Sequence, residues 1–398
     1  MDLRKEYSNL PLWKDRFIRF FWYSIAMIIR PFCKVENKRV FCWANRFNQY
    51  ACNPRFLTEY IINNKDEDLE VYWAFEKGFD VSRLDPRIHV VRYRTIGYLI
   101  ALYKSRFIVN NLRNDRYGTF FVKKSNQKYL MLWHGSTPLK KIEKDAEVAL
   151  GAYAVKRSMD DSSMCDLMIS NCRFFTNLIR SSFWYDGEIL ECGLPRNDIF
   201  FNKKLVKENC EKVKSLYDID SDTFVLLYAP TFRPDNKIDY YKLNWPIVID
   251  EFENRFNKKV KVLLRLHPNM INIPGIDSLL TDGRMINATK YPDIFDILCA
   301  TDALITDYSG TMFNFSFFEK PTFLYAIDKD QYDRGFYYGL DELPFNLATD
   351  EETLLKNVRL FDNIKYLKRL RDFKEHKLQI HEDGNSSKRL YQWMISNK

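Results

Sequence analysis

Two histidines stand where an acid–base pair would be useful. The apolar run Tyr129 to Trp133 stops at His134-Gly135, and far downstream Arg265-Leu266-His267-Pro268 closes a second apolar run. Such runs read as strands, and an imidazole just outside the carboxyl end of a strand is where open α/β sheets meet ligands. Neutral at pH 7, one imidazole can take a proton from an attacking hydroxyl. The other, held protonated by a bound phosphate, can stabilise charge on a departing group. The plainer alternative for either is a histidine that bonds a nearby carbonyl and caps its strand.

The residues around them suit phosphate. Gly135 permits close backbone approach to a ligand, Thr137 brings a hydroxyl, and Lys140 and Lys141 add positive charge one helical turn further on. Three more turns carry polar groups: Gly193-Leu194-Pro195-Arg196-Asn197-Asp198, Tyr228-Ala229-Pro230-Thr231-Phe232-Arg233, and Thr306-Asp307-Tyr308-Ser309-Gly310-Thr311. Gly310 and Thr311 open a helix, so their N–H groups and the helix dipole would draw a phosphate. The hydroxyls of Ser309 and Thr311 can add donors or simply cap the helix, and for Thr311 alone capping is the better reading. Arg233, Arg265, Lys140 and Arg196 are available for the equatorial oxygens of a transferring phosphoryl group, while Asp307 is expected to orient its loop through backbone N–H bonds. No carboxylate cluster marks the strand ends, so neither a tightly bound divalent ion nor another cofactor is expected. Asp66-Glu67-Asp68 lies in a charged loop before a strand and carries little weight as a metal site. His89 sits inside a strand, and His376 and His381 are poorly spaced for one helix face.

The elements that must position these groups alternate. Residues 39–43, 69–75, 89–93, 107–110, 129–133, 165–171 and 188–193 read as strands, with helices over 54–63, 95–104 and 173–183. After a charged helix over 203–216 and a polar break at 218–222 the pattern restarts. Strands then read over 224–229, 260–266, 285–287, 303–306 and 322–326, with helices over 245–256, 293–300 and 311–319. Strands separated by helices indicate parallel, doubly wound sheets. The organisation expected is an α/β fold of two tandem Rossmann-like domains facing across a cleft. Residues 1–34 form an amphipathic helix, 35–217 the first domain on the acceptor side, 218–362 the second, donor-binding domain, and 363–398 a helical tail crossing back onto the first.

With 398 residues and 46% apolar composition, two cores are affordable. The net charge of +8, from 61 basic and 53 acidic residues, suits a phosphate-rich substrate or an anionic membrane and is too mild for a nucleic-acid binder. Eight scattered cysteines without a C-x-x-C pair read as reduced, buried thiols of the cytosol. No stretch reaches the roughly 20 apolar residues of a spanning helix. Phe20 to Ile29 comes nearest, but Lys14, Arg16, Arg19 and Arg30 punctuate its ends, and Trp13, Phe17, Phe20, Phe21 and Trp22 beside them fit a helix lying in a headgroup layer as well as one packed on the first domain.

In their order, Asn53-Pro54-Arg55, Trp133-His134-Gly135 with Thr137-Pro138-Leu139-Lys140-Lys141, the Gly193 and Tyr228 turns, Leu266-His267-Pro268 and Leu304-Ile305-Thr306-Asp307-Tyr308-Ser309 resemble the CDP-glycerol glycerophosphotransferase family, which primes or polymerises teichoic acids and related polymers. The resemblance spans about Asn45 to Pro344. It implies a glycosyltransferase-B type fold, CDP-glycerol or another CDP-alditol bound mainly by the second domain, and catalysis by His134 and His267. It also implies transfer of the alditol phosphate to a lipid-linked or polymer acceptor with release of CMP, and peripheral attachment to the cytoplasmic face of the cell membrane; self-association into a homo-oligomer is left open. The chain departs from the family pattern at the inserted Ser136, at Gly310 where a second Ser is usual, at Asn314 where an acidic residue is usual, and at Leu343-Pro344-Phe345, which replaces a Pro-Gly segment. The alternative is a nucleotide-sugar glycosyltransferase of the same fold, such as a CMP-sialic acid-dependent capsular enzyme.

Overall fold

The computed structural model describes residues 12–64, 69–135, 137–233, 238–267, 270, 275–329 and 335–398, with backbone alone at 12 and 13. The Asp66-Glu67-Asp68 loop and the Ser136 insertion lie outside the described residues. The first sheet comprises β1 (Glu36–Cys42), β2 (Glu70–Phe75), β3 (His89–Arg92), β4 (Ser105–Asn110), β5 (Lys128–Met131), β6 (Leu167–Ile169) and β7 (Glu188–Leu190). The second comprises β8 (Phe224–Tyr228), β9 (Val260–Leu264), β10 (Met285–Asn287), β11 (Ala303–Thr306), β12 (Thr322–Tyr325) and β13 (Asn346–Ala348).

Every pairing is parallel, in the orders β3-β2-β1-β4-β5-β6-β7 and β10-β9-β8-β11-β12-β13. The central strands are covered by helices and read as continuous apolar runs; all five residues of β8 are buried. In each sheet the order reverses once, between β1 and β4 and between β8 and β11. Ligands of doubly wound sheets bind at such reversals, outside the carboxyl ends of the strands. This is the glycosyltransferase-B type of architecture. β13 was not expected from the sequence, because two half-buried residues and one buried alanine at a sheet edge carry no apolar run.

The two halves are fastened behind the cleft. The helix Lys203–Leu216 packs on Ile294–Ala300, the Arg55 guanidinium pairs with Asp293 at 3.1 Å, and the rings of Phe56 and Phe295 meet edge to face. The tail ties both ends together. Tyr366 donates to the Lys320 carbonyl in the second half, and the helix Ser386–Ser396 lies on Cys52–Asn63, with Tyr391 against Tyr60.

Asp198 anchors that last helix, its two carboxylate oxygens accepting from the N–H groups of Ser386 (2.9 Å) and Ser387 (2.8 Å). These are N–H groups that a helix start leaves without internal partners. Asp198→Ala should therefore lower unfolding free energy by about 0.5–2 kcal/mol in equilibrium urea denaturation; an unchanged midpoint would show that solvent satisfies the helix end equally well.

Candidate active site

The geometry around His134 begins with an awkward turn. Trp133 is held at φ 51°, a left-handed conformation uncommon outside glycine. Asn53, fully buried, stabilises the turn by donating its amide to the carbonyls of Leu132 (2.8 Å) and Trp133 (3.0 Å). The Trp133 ring lies beside the imidazole, with centroids 4.3 Å apart. Beneath it the buried Arg113 pairs with Glu143 at 2.9 Å and Asp161 at 3.1 Å, its guanidinium 5.9 Å from the Trp133 ring.

The imidazole Nδ1 of His134 lies 2.9 Å from the backbone oxygen of Asn111. A carbonyl only accepts, so Nδ1 carries the proton and the neutral ring presents Nε2 as a lone pair. Desolvation by the surrounding protein lowers the pKa below the ordinary 6.5; the Asn111 bond opposes this, and the charge of Arg196 reinforces it. Water reaches the ring from the cleft and tempers the size of the shift, but its direction leaves the ring neutral at pH 7. Asn111 was not singled out from the sequence, although the polar pair Asn110-Asn111 at the carboxyl end of an apolar strand was a usable signal.

His267 follows β9 in the other sheet, exposed to the cleft and 5.7 Å from the Phe232 ring. Desolvation lowers its pKa, and so do the positive charges of Lys140 and Arg265. The influence of Lys140 reaches it from the opposite domain. Leu139 to Lys141, read from the sequence as a basic amphipathic segment, form no helical turn. They run extended against residues 335–337: Lys141 donates to the Gly335 carbonyl at 3.0 Å, Tyr337 donates to that of Leu139 at 2.8 Å, and Lys140 bridges Phe336. Tyr337 Oη donates to Asp145 at 2.7 Å, completing a strap between the halves.

The arginines lie one layer below the cleft surface, which corrects the expectation that they face substrate phosphate directly. Arg196 is buried and donates to the His134 carbonyl at 2.7 Å; its Nε has no partner among the described residues. Arg233 pairs with Asp328 at 2.6 Å and Asp307 at 2.9 Å, and Arg265 donates to the carbonyls of Tyr291 (2.7 Å) and Ala288 (3.0 Å). Burial explains the difference: a guanidinium left dry must find acceptors within the protein.

What does line the opening is hydroxyl and backbone. Asp307 accepts from the N–H groups of Thr231 (2.8 Å) and Tyr308 (2.6 Å), the loop-orienting role expected of it. The Thr231 hydroxyl beneath this loop is buried and unpartnered among the described residues. Ser309 donates to the Thr311 hydroxyl at 2.9 Å and accepts from the Thr311 N–H at 3.2 Å, so Ser309 rather than Thr311 serves the helix start. Gly310 is exposed, and a Cβ there would lie 3.8 Å from the carbonyl oxygen of Thr137, itself buried. Gly135 is half-buried over the Trp133 indole. Thus the His134 loop and the Ser309–Thr311 loop face each other closely. Of the other histidines, His89 stacks on Tyr72 and His381 lies 3.3 Å from the Ser170 carbonyl. Among the described residues no three His, Cys, Asp or Glu side chains gather as metal ligands.

Two parallel sheets, each ending a strand in one of the two histidines and one of them carrying the Ser309–Thr311 helix start, define a glycosyltransferase-B type α/β protein. The chain belongs to the CDP-Glycerol:Poly(glycerophosphate) glycerophosphotransferase family, whose sequence profile matches residues 24–396. It is 28% identical over 389 residues to the teichoic acid poly(glycerol phosphate) polymerase of Bacillus spizizenii, covering 94% of this chain and 96% of that one. To the Staphylococcus epidermidis polymerase of the same description it is 30% identical over 331 residues, which is 79% of this chain but only 44% of that protein. The solved structure of the wall teichoic acid polymerase TagF, in a histidine variant soaked with CDPG, superposes with a TM-score of 0.78 at 25% identity over 96% of this chain and 93% of that one.

The downward shift at His134 has a readable sign. A base whose pKa lies below 6.5 stays unprotonated as pH falls through neutrality. The acid limb of kcat/KM should consequently lie below 6.5; a limb centred above pH 7 would contradict the neutral, Nδ1-protonated ring.

Proposed function

We propose that the protein transfers glycerol phosphate from CDP-glycerol to a hydroxyl of a lipid-linked or polymer acceptor. What supports this reading is the Asn111 bond, which leaves His134 Nε2 as a lone pair, together with the approach of Gly310 to the Thr137 carbonyl, which brings the Ser309–Thr311 turn beside the His134 loop. In the reaction the acceptor oxygen attacks the phosphorus bearing glycerol, and its proton passes to His134 Nε2. A new O–P bond forms, the pyrophosphate bridge breaks, and CMP departs with the bridging oxygen.

His267 serves the leaving side. Desolvation, reinforced by the charges of Lys140 and Arg265, lowers its pKa before donor binds, and the charge of the diphosphate raises its proton affinity in the complex. Thr231, Ser309, Gly310 and Thr311 receive phosphate oxygens, while Arg233 and Asp307 hold that wall in shape. Gly135 and Thr137 complete the acceptor-side loop. Incubation with CDP-glycerol and an acceptor should release CMP, and His134→Ala should reduce kcat/KM roughly 10²–10⁴-fold with folding retained. No CMP release with any CDP-alditol would refute the reading.

The acceptor's location suggests a peripheral membrane protein. No helix among the described residues is long and apolar enough to cross a membrane. The helix Leu12–Ile29 packs one face on the first domain through Ala26, Trp22 against Phe120, and Arg19 paired with Asp115 at 3.1 Å. Its other face leaves Phe17, Phe20, Phe21 and Ile28 exposed at helical spacing, with Phe32 just beyond. Arg16 is exposed beside them, and each basic residue near an anionic leaflet contributes about 1 kcal/mol. The protein should sediment with anionic liposomes at low salt and less so at high salt. Serine at Phe17, Phe20 and Phe21 together should abolish sedimentation while leaving CMP release to a soluble acceptor unchanged; undiminished sedimentation would place the contact elsewhere.

A further inference from the structure

The departure at Asn314 lies against the catalytic loop. Asn314 belongs to the short helix Thr311–Phe315, three residues beyond the phosphate-binding turn, and is buried. Its amide Nδ2 donates to Asn197 Oδ1 at 3.0 Å, and its Oδ1 accepts a long bond of 3.5 Å from Arg196 Nη2. Arg196 in turn donates through Nη1 to the His134 carbonyl at 2.7 Å, and its own N–H is held by Asn53 Oδ1 at 3.2 Å. Asn197 cannot rotate freely, because its amide donates to both oxygens of Glu382, each at 2.8 Å. A series of side-chain bonds thus runs from the tail, through the donor-side helix, to the backbone of the catalytic histidine.

We propose that Asn314 is a positioning residue for the transfer reaction: anchored by Asn197, it holds Arg196 against the His134 carbonyl and so fixes the imidazole relative to the Ser309–Thr311 turn. The proposal rests on the functional reading above. An amide suits this place because it donates to Asn197 while accepting from Arg196. A carboxylate there would keep Arg196 but offer Asn197 Oδ1 no donor, and it would add negative charge near Glu382, whose pKa burial already pushes up to about 8. Alanine keeps neither contact, and the guanidinium loses its only acceptor from the donor-side helix among the described residues. A misplacement of about 1 Å at a reacting group can cost on the order of 10²-fold in rate, so the effect belongs in kcat rather than in donor binding.

The test compares wild type with Asn314→Ala, Asn314→Asp, Arg196→Gln and the Asn314→Ala/Arg196→Gln double variant, measuring CMP release and thermal melting. Asn314→Ala should lower kcat about tenfold to a hundredfold with KM for CDP-glycerol within about twofold. Asn314→Asp should recover part of the loss, and the double variant should be no slower than Arg196→Gln, since coupled sites are non-additive. Wild-type kcat in Asn314→Ala, additive losses, or a loss that merely follows a lowered melting temperature would overturn the proposal. If wild type itself releases no CMP, the functional reading fails separately and an NMR titration of His134 decides the positioning claim. The groups facing that ring are the Asn111 carbonyl, Arg196, Glu143 and Arg113. Releasing Arg196 should raise the His134 midpoint in Asn314→Ala, and an unmoved midpoint would overturn the claim.

Discussion

The hydrogen bond from His134 Nδ1 to the Asn111 carbonyl, 2.9 Å long, is the contact on which the account depends. It selects one tautomer of a neutral imidazole and so decides which nitrogen can accept a proton. The fold is arranged to make it possible. β4 delivers Asn111 and β5 delivers His134 from adjacent parallel strands, next to the point where the strand order reverses. Asn53 holds the left-handed turn at Trp133, and Arg113, paired on two sides, supports the indole from below.

The second sheet supplies the complementary wall by the same device. Its reversal between β8 and β11 places Thr231 and the Ser309–Thr311 turn together, and the Arg233 pairs with Asp307 and Asp328 stiffen them. Such pairs are worth little as net stability, yet breaking one leaves a buried charge without its partner, at about 3–5 kcal/mol. Rigidity here serves geometry: phosphoryl transfer asks chiefly for correct placement of donor, acceptor and positive groups. The strap at 139–141 and 335–337 carries the influence of Lys140 to His267 across the cleft.

Most of the fold was legible in the sequence because central parallel strands such as β8, buried on both faces, leave continuous apolar runs, and twelve of the thirteen strands overlap ranges read from the sequence. β13 left none. The histidines were legible because each ends such a run. The arginines were misjudged for a physical reason: position at a strand end does not say whether a side chain turns into the cleft or under it. The deciding partners of Arg233, Asp307 and Asp328, lie 74 and 95 residues away in the chain. The strap escaped notice likewise, since extended pairing between residues nearly 200 apart has no local signature. The amphipathic N-terminal helix was read as either membrane-facing or packed, and the structure gives it one packed face and one exposed aromatic face.

The central claim is the protonation state of His134, and it can be observed without substrate. Two-bond ¹⁵N–¹H correlation of the protein labelled at histidine nitrogen distinguishes the Nδ1–H tautomer, the Nε2–H tautomer and the imidazolium. At pH 7 His134 should give the neutral ring with its proton on Nδ1. A proton on Nε2, or an imidazolium at that pH, would contradict the account.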